Sequence, residues 1–252
     1  TGDTLMLETK ALKALVSLHT GAITFLDTTG NTLLRETEGG GKTFTPLSID
    51  GDEGYSFRQV FESPSNEAFY GLGQHQSDVF NYKGKNEVLY QYNTKVSVPF
   101  VVSNKHYGIL WDNYSLTRFG DPRPYENLDQ FALYDKNGHA GGLTATYMVN
   151  KDPNNVFLER METTIDYENL ETVKQFPAHF PFNNAAITWE GYLQPKETGR
   201  WSFDVYYAGY TKVWLNDSLV VAERWRTAWN PNHYTFTAWL SSDKRHKIKV
   251  EW

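Results

Sequence analysis

The sequence predicts an all-β protein, and three observations carry that prediction. Apolar residues recur at every second position along most of the chain, the spacing of half-buried strands, and almost nowhere at helical spacing. Clusters of Gly, Asn and Asp interrupt these runs as turns would. The chain also carries 15 Phe, 16 Tyr and 8 Trp, ring types enriched on pleated sheet surfaces.

Taken in order, Leu12, Ala14, Val16 and Leu18 form one face of a strand, Thr20-Gly21 turns the chain, and Ile23 and Phe25 open the partner. Asp27-Thr28-Thr29-Gly30 turns again before Leu33-Leu34, which makes a meander. Gly39-Gly40-Gly41 reads as a connector, since no Lys-Ser/Thr pair or helical pattern follows it. Tyr55 with Phe57, then Ala68 to Gly71, mark further strands. Val96, Val98, Phe100 and Val102 alternate with Ser97, Pro99, Val101 and Ser103, and Pro99, lacking an N–H, belongs at an edge or a bulge. Tyr107 to Asn113 reads as a buried strand ending in a turn. A Gly-rich stretch from Lys136 to Gly142 sets the expected boundary between a first domain, 1–140, and a second, 141–252. Residues 150–185 are more polar, with loops at Pro153, Pro177 and Pro181 and a short helical turn expected over Asn169–Val173. Strands resume with Trp201, Phe203, Val205 and Tyr207, then Val213 and Leu215, then Tyr234 and Phe236. Lys247, Lys249 and Glu251 finally interleave with Ile248, Val250 and Trp252, and the chain stops inside that alternation, so continuation in a longer protein is expected.

Composition excludes several function classes. With 24 Lys and Arg against 30 Asp and Glu and no basic run, the chain lacks the field that attracts nucleic acid. No apolar run approaches the roughly 20 residues of a membrane span. The absence of cysteine removes disulfides, thiolate metal ligands and Cys nucleophiles together. Seven His without paired spacing indicate no transition-metal site, and no cofactor motif is present.

Resemblance to known families is strong in both halves. Residues 1–140 resemble the galactose-mutarotase-like β-sandwich at the amino terminus of glycoside hydrolase family 31, the α-glucosidases and α-xylosidases. The resemblance rests on HTGAITFLDTTGNTLLRE (His19–Glu36), FYGLGQHQSDVFNYKGK (Phe69–Lys85) and LYQYNTKVSVPFVVSNKHYGILWDN (Leu89–Asn113). From Gly142 onward the chain is similar to the protective-antigen type β-sandwich domain. That similarity rests on GLTATYM (Gly142–Met148), TWEGYLQPKETGRWSFDVYY (Thr188–Tyr207), KVWLNDSLVV (Lys212–Val221) and RHKIKVEW (Arg245–Trp252). This order matches bacterial α-xylosidases that act on xyloglucan oligosaccharides and carry such a domain inserted in the sandwich. The resemblance implies a retaining α-glycosidase exported to the periplasm or the cell exterior. Its two catalytic carboxylates would lie in a (β/α)8 barrel missing from this chain, so no catalytic residue is assigned here. The α-xylosyl or α-glucosyl oligosaccharide and the barrel of the same chain are the implied partners. An α-glucosidase and a stand-alone carbohydrate-binding module are the alternatives.

Hydrolysis of a glycoside needs two carboxyl groups about 5 to 9.5 Å apart. Asp50, Asp52 and Glu53 cluster, as do Asp121, Glu126 and Asp129, but in polar loops where carboxylates are normally solvated. The family resemblance instead points to a sandwich loop that touches sugar, here Asn93 and Thr94, an amide and a hydroxyl able to donate and accept hydrogen bonds. Asn replaces the family's Asp there, which removes a charge-assisted bond. Gln76 and Asp78, after the Gly-Leu-Gly turn, form a second candidate loop, and Lys95 is a weaker companion. In the second half, Glu223 to Asn232 reads as a loop rich in Trp and Arg. Trp225, Trp229 and Arg226, with Tyr207 or Tyr210, are the candidate sugar contacts, because indole faces cover apolar ring faces and guanidinium groups bond paired hydroxyls. An interdomain interface would use the same residue types. Related adhesin domains hold calcium through adjacent Asp residues, but here the matching positions read Tyr207-Ala208-Gly209-Tyr210, so a calcium lectin is not expected.

Overall fold

The computed structural model describes residues 2–39, 41–77, 79–121, 123–167, 176–182 and 184–252. Among these, regular structure consists of strands and two single 3-10 turns, Leu128–Gln130 and Val149–Lys151. The segment 169–173, where a helical turn was expected, falls outside the described residues. The chain divides into two units, Thr1–Asp121 and Pro122–Trp252.

In the first unit, β1 (Thr4–Glu8), β2 (Lys13–Ser17), β3 (Ile23–Leu26) and β4 (Thr32–Arg35) form an antiparallel meander. Its β3–β4 turn is held by the Asp27 carboxylate, which accepts the N–H groups of Thr29 at 2.8 Å and Asn31 at 2.9 Å. A hairpin follows, β5 (Lys42–Ile49) and β6 (Asp52–Gln59), turned at Asp50-Gly51, both with positive φ. Glu36, buried after β4, ties the two pieces together by accepting bonds from the Ile23 N–H at 2.7 Å and from the side chains of Lys42 and Gln59. Burial raises its pKa, but these donors outweigh burial and lower it overall.

The remaining strands are β7 (Phe69–Gln74), β8 (Glu87–Leu89), β9 (Val96–Ser103), β10 (Tyr107–Leu110) and β11 (Thr117–Phe119). β9 lies between β7 and β10, and β8 pairs with β11. The β7–β9 register passes from Gly71↔Val101 to Gly73↔Ser97, so three residues centred on Pro99 face Leu72 alone. Pro99 is thus accommodated by a bulge on an interior strand. A small core gathers Leu72, Tyr82 and Val101, packed by Phe69, Val79, Leu89, Ile109 and Phe119. It uses the Val101–Ser103 side of β9. The all-apolar row Val96, Val98, Phe100 and Val102 is instead 41–46% exposed. Leu110 is also exposed, so the β10 segment expected to be buried has an open face.

In the second unit the strands are β12 (Ala132–Tyr134), β13 (Leu143–Met148), β14 (Val156–Glu162), β15 (Ala186–Gln194), β16 (Gly199–Tyr207), β17 (Gly209–Leu215), β18 (Ser218–Arg226), β19 (Asn232–Leu240) and β20 (His246–Glu251). β14, β13, β15, β20, β17 and β18 run in that spatial order, and β12 also pairs with β15. β12, which precedes the boundary expected at 140, therefore lies on this sheet. β16 and β19 form a separate ribbon. Between ribbon and sheet sits one continuous core that includes Leu133, Leu143, Tyr147, Ile187, Trp189, Leu193, Leu215, Leu240 and Ile248. Phe203 stacks on Phe236 at 4.9 Å within the ribbon and packs against that core.

One charge is buried in this core. The Glu162 carboxylate accepts bonds from the Tyr147 hydroxyl at 2.6 Å, the Trp189 indole N–H at 2.7 Å and the Arg160 guanidinium at 2.6 Å. Burial raises its pKa, and the three donors together lower it below the ordinary carboxylate value. Burial and the neighbouring carboxylate push the Tyr147 hydroxyl up, so it stays a donor.

Candidate functional site

In the first unit, two loops that are separate in sequence are joined. Gly73 has φ +100°, and a Cβ there would lie 2.0 Å from the Val96 carbonyl oxygen, so only glycine lets β7 run this close to β9. That approach brings the segment after β7 to the turn before β9. The Gln76 side chain donates to the Thr94 hydroxyl, uniting two of the sequence candidates. The turn itself is closed by the Lys95 N–H donating to the Tyr92 carbonyl at 2.9 Å, with Asn93 in the left-handed region that Asn tolerates better than most residues. Asn93 and Thr94 are exposed at its tip. Asp78 lies outside the described residues.

Beneath the turn is a polar layer that the sequence reading missed. The His75 side chain is 1% exposed, with Nε2 at 2.7 Å from the Leu72 carbonyl. Its Nδ1 lies 3.3 Å from Glu87 Oε1 without hydrogen-bond alignment, and Lys95 Nζ stands 3.5 Å from the same oxygen. Lys95 also sits over the Tyr92 ring at 5.7 Å. Lys95 therefore anchors the turn from below, while Asn93 and Thr94 stand exposed. No sequence signal links positions 75, 87 and 95, because the grouping depends on strand register.

In the second unit, the segment read as a loop from Glu223 to Asn232 is mostly strand. β18 runs through Arg226, β19 begins at Asn232, and the Asn230 N–H donates to the Thr227 carbonyl at 3.1 Å in the turn between them. Strand pairing places Trp225 opposite Tyr210, with ring centroids 6.2 Å apart, and leaves them 50% and 57% exposed. Trp229, at the turn, is 73% exposed. The Arg226 guanidinium donates to the Trp225 carbonyl at 3.0 Å. Tyr207, in contrast, is buried at 5%, so it presents no face to a ligand. Arg224, a neighbour missed from sequence, stacks on Tyr234 at 3.8 Å.

The two carboxylate clusters are exposed: Asp50, Asp52 and Glu53 at the β5–β6 turn, and Asp121, Glu126 and Asp129 near the division of the chain.

Comparison with known proteins decides the family. Residues 1–119 match the glycosyl hydrolase 31 N-terminal galactose mutarotase-like domain, and residues 139–252 match the PA14 domain. The chain is a family 31 mutarotase-like domain joined to a PA14 domain. An α-xylosidase structure from Xanthomonas citri superposes on 100% of the chain with a TM-score of 0.88 and 39% identity, and the chain covers 27% of that protein. An α-xylosidase of Saccharolobus solfataricus is 48% identical over 71 residues, 25% of the chain and 10% of its own length. An uncharacterized family 31 glucosidase of Pseudescherichia vulneris is 34% identical over 131 residues, 44% of the chain and 25% of its own length. The chain thus spans a quarter or less of these two relatives. The Asn93–Thr94 turn belongs to the mutarotase-like domain, and the Tyr210–Trp225 pair to the PA14 domain.

Proposed function

We propose that this chain is the non-catalytic amino-terminal portion of an exported, retaining α-glycosidase, an α-xylosidase acting on xyloglucan oligosaccharides. The mutarotase-like domain offers sugar hydroxyls the exposed amide and hydroxyl of Asn93 and Thr94, braced by Gln76. The PA14 domain offers the faces of Tyr210, Trp225 and Trp229, with Arg226 beside them. Binding energy gathered from distant sugar units would position the scissile bond in a catalytic domain elsewhere in the protein. The observation that carries this reading is the likeness of both domains, in one order and over the whole chain, to a single α-xylosidase. The glucosidase relative supports an α-glucosidase as the second reading.

The test is hydrolysis of p-nitrophenyl α-xyloside and α-glucoside by the full-length gene product beside this chain. Activity in the full-length protein alone, stronger on the xyloside, is the expected result. Activity in the chain itself overturns the non-catalytic role, and preference for the glucoside selects the second reading. In the full-length enzyme, Trp225→Ala with Trp229→Ala should raise KM for long oligosaccharides and leave that for the small xyloside unchanged.

A further inference from the structure

The outward face of the PA14 sheet carries a second feature, which shares only Tyr210 with the sugar contacts above. Alternation along β17 sends Tyr210, Lys212 and Trp214 to the solvent side, while Thr211, Val213 and Leu215 point inwards. Glu190 on β15 and Lys247 and Lys249 on β20 share that outer face, because Glu190 pairs with Lys249 and Lys249 with Trp214 across the sheet. Where they meet, Glu190, Trp214, Asp217, Lys247 and Lys249 line a cavity of about 380 Å³. That lies within the range of about 300–1,000 Å³ for small-molecule sites.

The lining chemistry narrows the ligand. Two acids face two lysines, so neither an anion nor a cation is favoured. Asp217 is engaged by Lys247 at 2.8 Å, and Lys249 by Glu251 at 2.7 Å. The Glu190 carboxylate makes no hydrogen bond or ion pair among the described residues, which leaves its lone pairs for hydroxyl donors. Trp214, itself part of the lining, has the ammonium groups of Lys212 and Lys249 over its ring at 5.6 Å and 5.2 Å. An aromatic wall beside a charge-balanced rim with one open carboxylate suits a neutral polyhydroxylated ring.

We propose that this cavity is a second glycan-binding site, and that Tyr210 and Trp214 mark two ends of a platform along β17 for one neutral oligosaccharide. Four residues of strand place their Cα atoms about 13 Å apart, the span of a short oligosaccharide and too far for one sugar ring. The inference rests on the carbohydrate-handling role proposed above and adds a site to it.

Calorimetric titration of the 252-residue chain with a neutral xyloglucan oligosaccharide tests the site. Trp214→Ala and Glu190→Ala should each weaken binding about ten-fold, the effect of losing one contact of roughly 1.4 kcal/mol. If Trp214→Ala does not fold, Glu190→Ala and Lys247→Ala, both surface substitutions, decide the matter. Affinity lost in Trp225→Ala and Trp229→Ala but kept in the Trp214 and Glu190 variants overturns this site and leaves the proposed function standing. Affinity lost only in the Trp214 and Glu190 variants upholds it and removes Trp225 and Trp229 from the reading. No measurable binding, or a preference for a sulfated polysaccharide over the neutral one, overturns the site.

Discussion

The two units are built from the same kind of strand but bury their apolar residues differently. In the PA14 domain the inward residues of β13, β15, β17 and β20 meet those of the β16–β19 ribbon in one continuous core, with Glu162 satisfied inside it. In the mutarotase-like domain the core is small, and apolar side chains of β5, β6, β9 and β10 stand exposed, Phe44, Tyr55, Val96, Phe100 and Leu110 among them. Phe57 stacks on Phe44 at 4.8 Å and on Trp111 at 5.4 Å. The difference teaches that strand alternation predicts which residues share a face, but not whether anything covers that face.

The largest expected effect lies in the better-covered unit. Glu162→Ala strands the donors of Arg160, Trp189 and Tyr147 in the core and should cost about 3–5 kcal/mol in denaturant unfolding of the PA14 domain. A loss near zero would mean that water replaces the carboxylate and that this core is less closed than its burial shows. A matched pair of substitutions sharpens the contrast. Val221, 1% exposed, changed to Thr should cost about 1–3 kcal/mol by burying a hydroxyl. Val96, 46% exposed, changed to Thr should stay within about 0.5 kcal/mol. Equal costs would break the comparison.

Acid acts on both units, because Glu36 and Glu162 each have a pKa below the ordinary carboxylate value. The folded pKa of Glu162 lies below its unfolded value, so its contribution is complete above about 4.5 and is lost as pH falls through the folded value. PA14-domain stability should therefore decline on acidification below about pH 4.5, and Glu162→Gln should flatten that decline in a pH series of thermal melts. The smallest effect concerns the turn. Thr94→Val removes the acceptor for Gln76 and should change stability by about 1 kcal/mol or less, read from thermal melts, while loosening Asn93.

Much of this architecture was legible in the sequence. The meander from β2 to β4 follows from its alternation and from Asp27, whose side chain closes the turn as its position implies. The strands β1, β5 and β14 were missed because Thr4–Glu8, Lys42–Ile49 and Val156–Glu162 lack a clean apolar and polar alternation. Within β9, the face richest in Val and Phe is the exposed one, since Val101 and Ser103 meet Leu72, Tyr82 and Glu67 on the other. Composition misread Glu223–Arg226 as loop because Trp and Arg were taken as signs of binding, when cross-strand pairing with β17 accounts for their order. Gln76 and Thr94 were each singled out, but their bond depends on the Gly73↔Ser97 register, which no local pattern encodes.

The position of β20 has a consequence for how the protein is made. It separates β15 from β17, so two half-sheets are joined only through a strand encoded after all the others in that unit. As the polypeptide emerges during synthesis, each half-sheet must wait with its central edge unpaired until residues 246–251 arrive. Pairing over such long sequence separations is slow and leaves nascent edges open to wrong partners. The growing chain thus depends on β20 to turn two sticky intermediates into one domain.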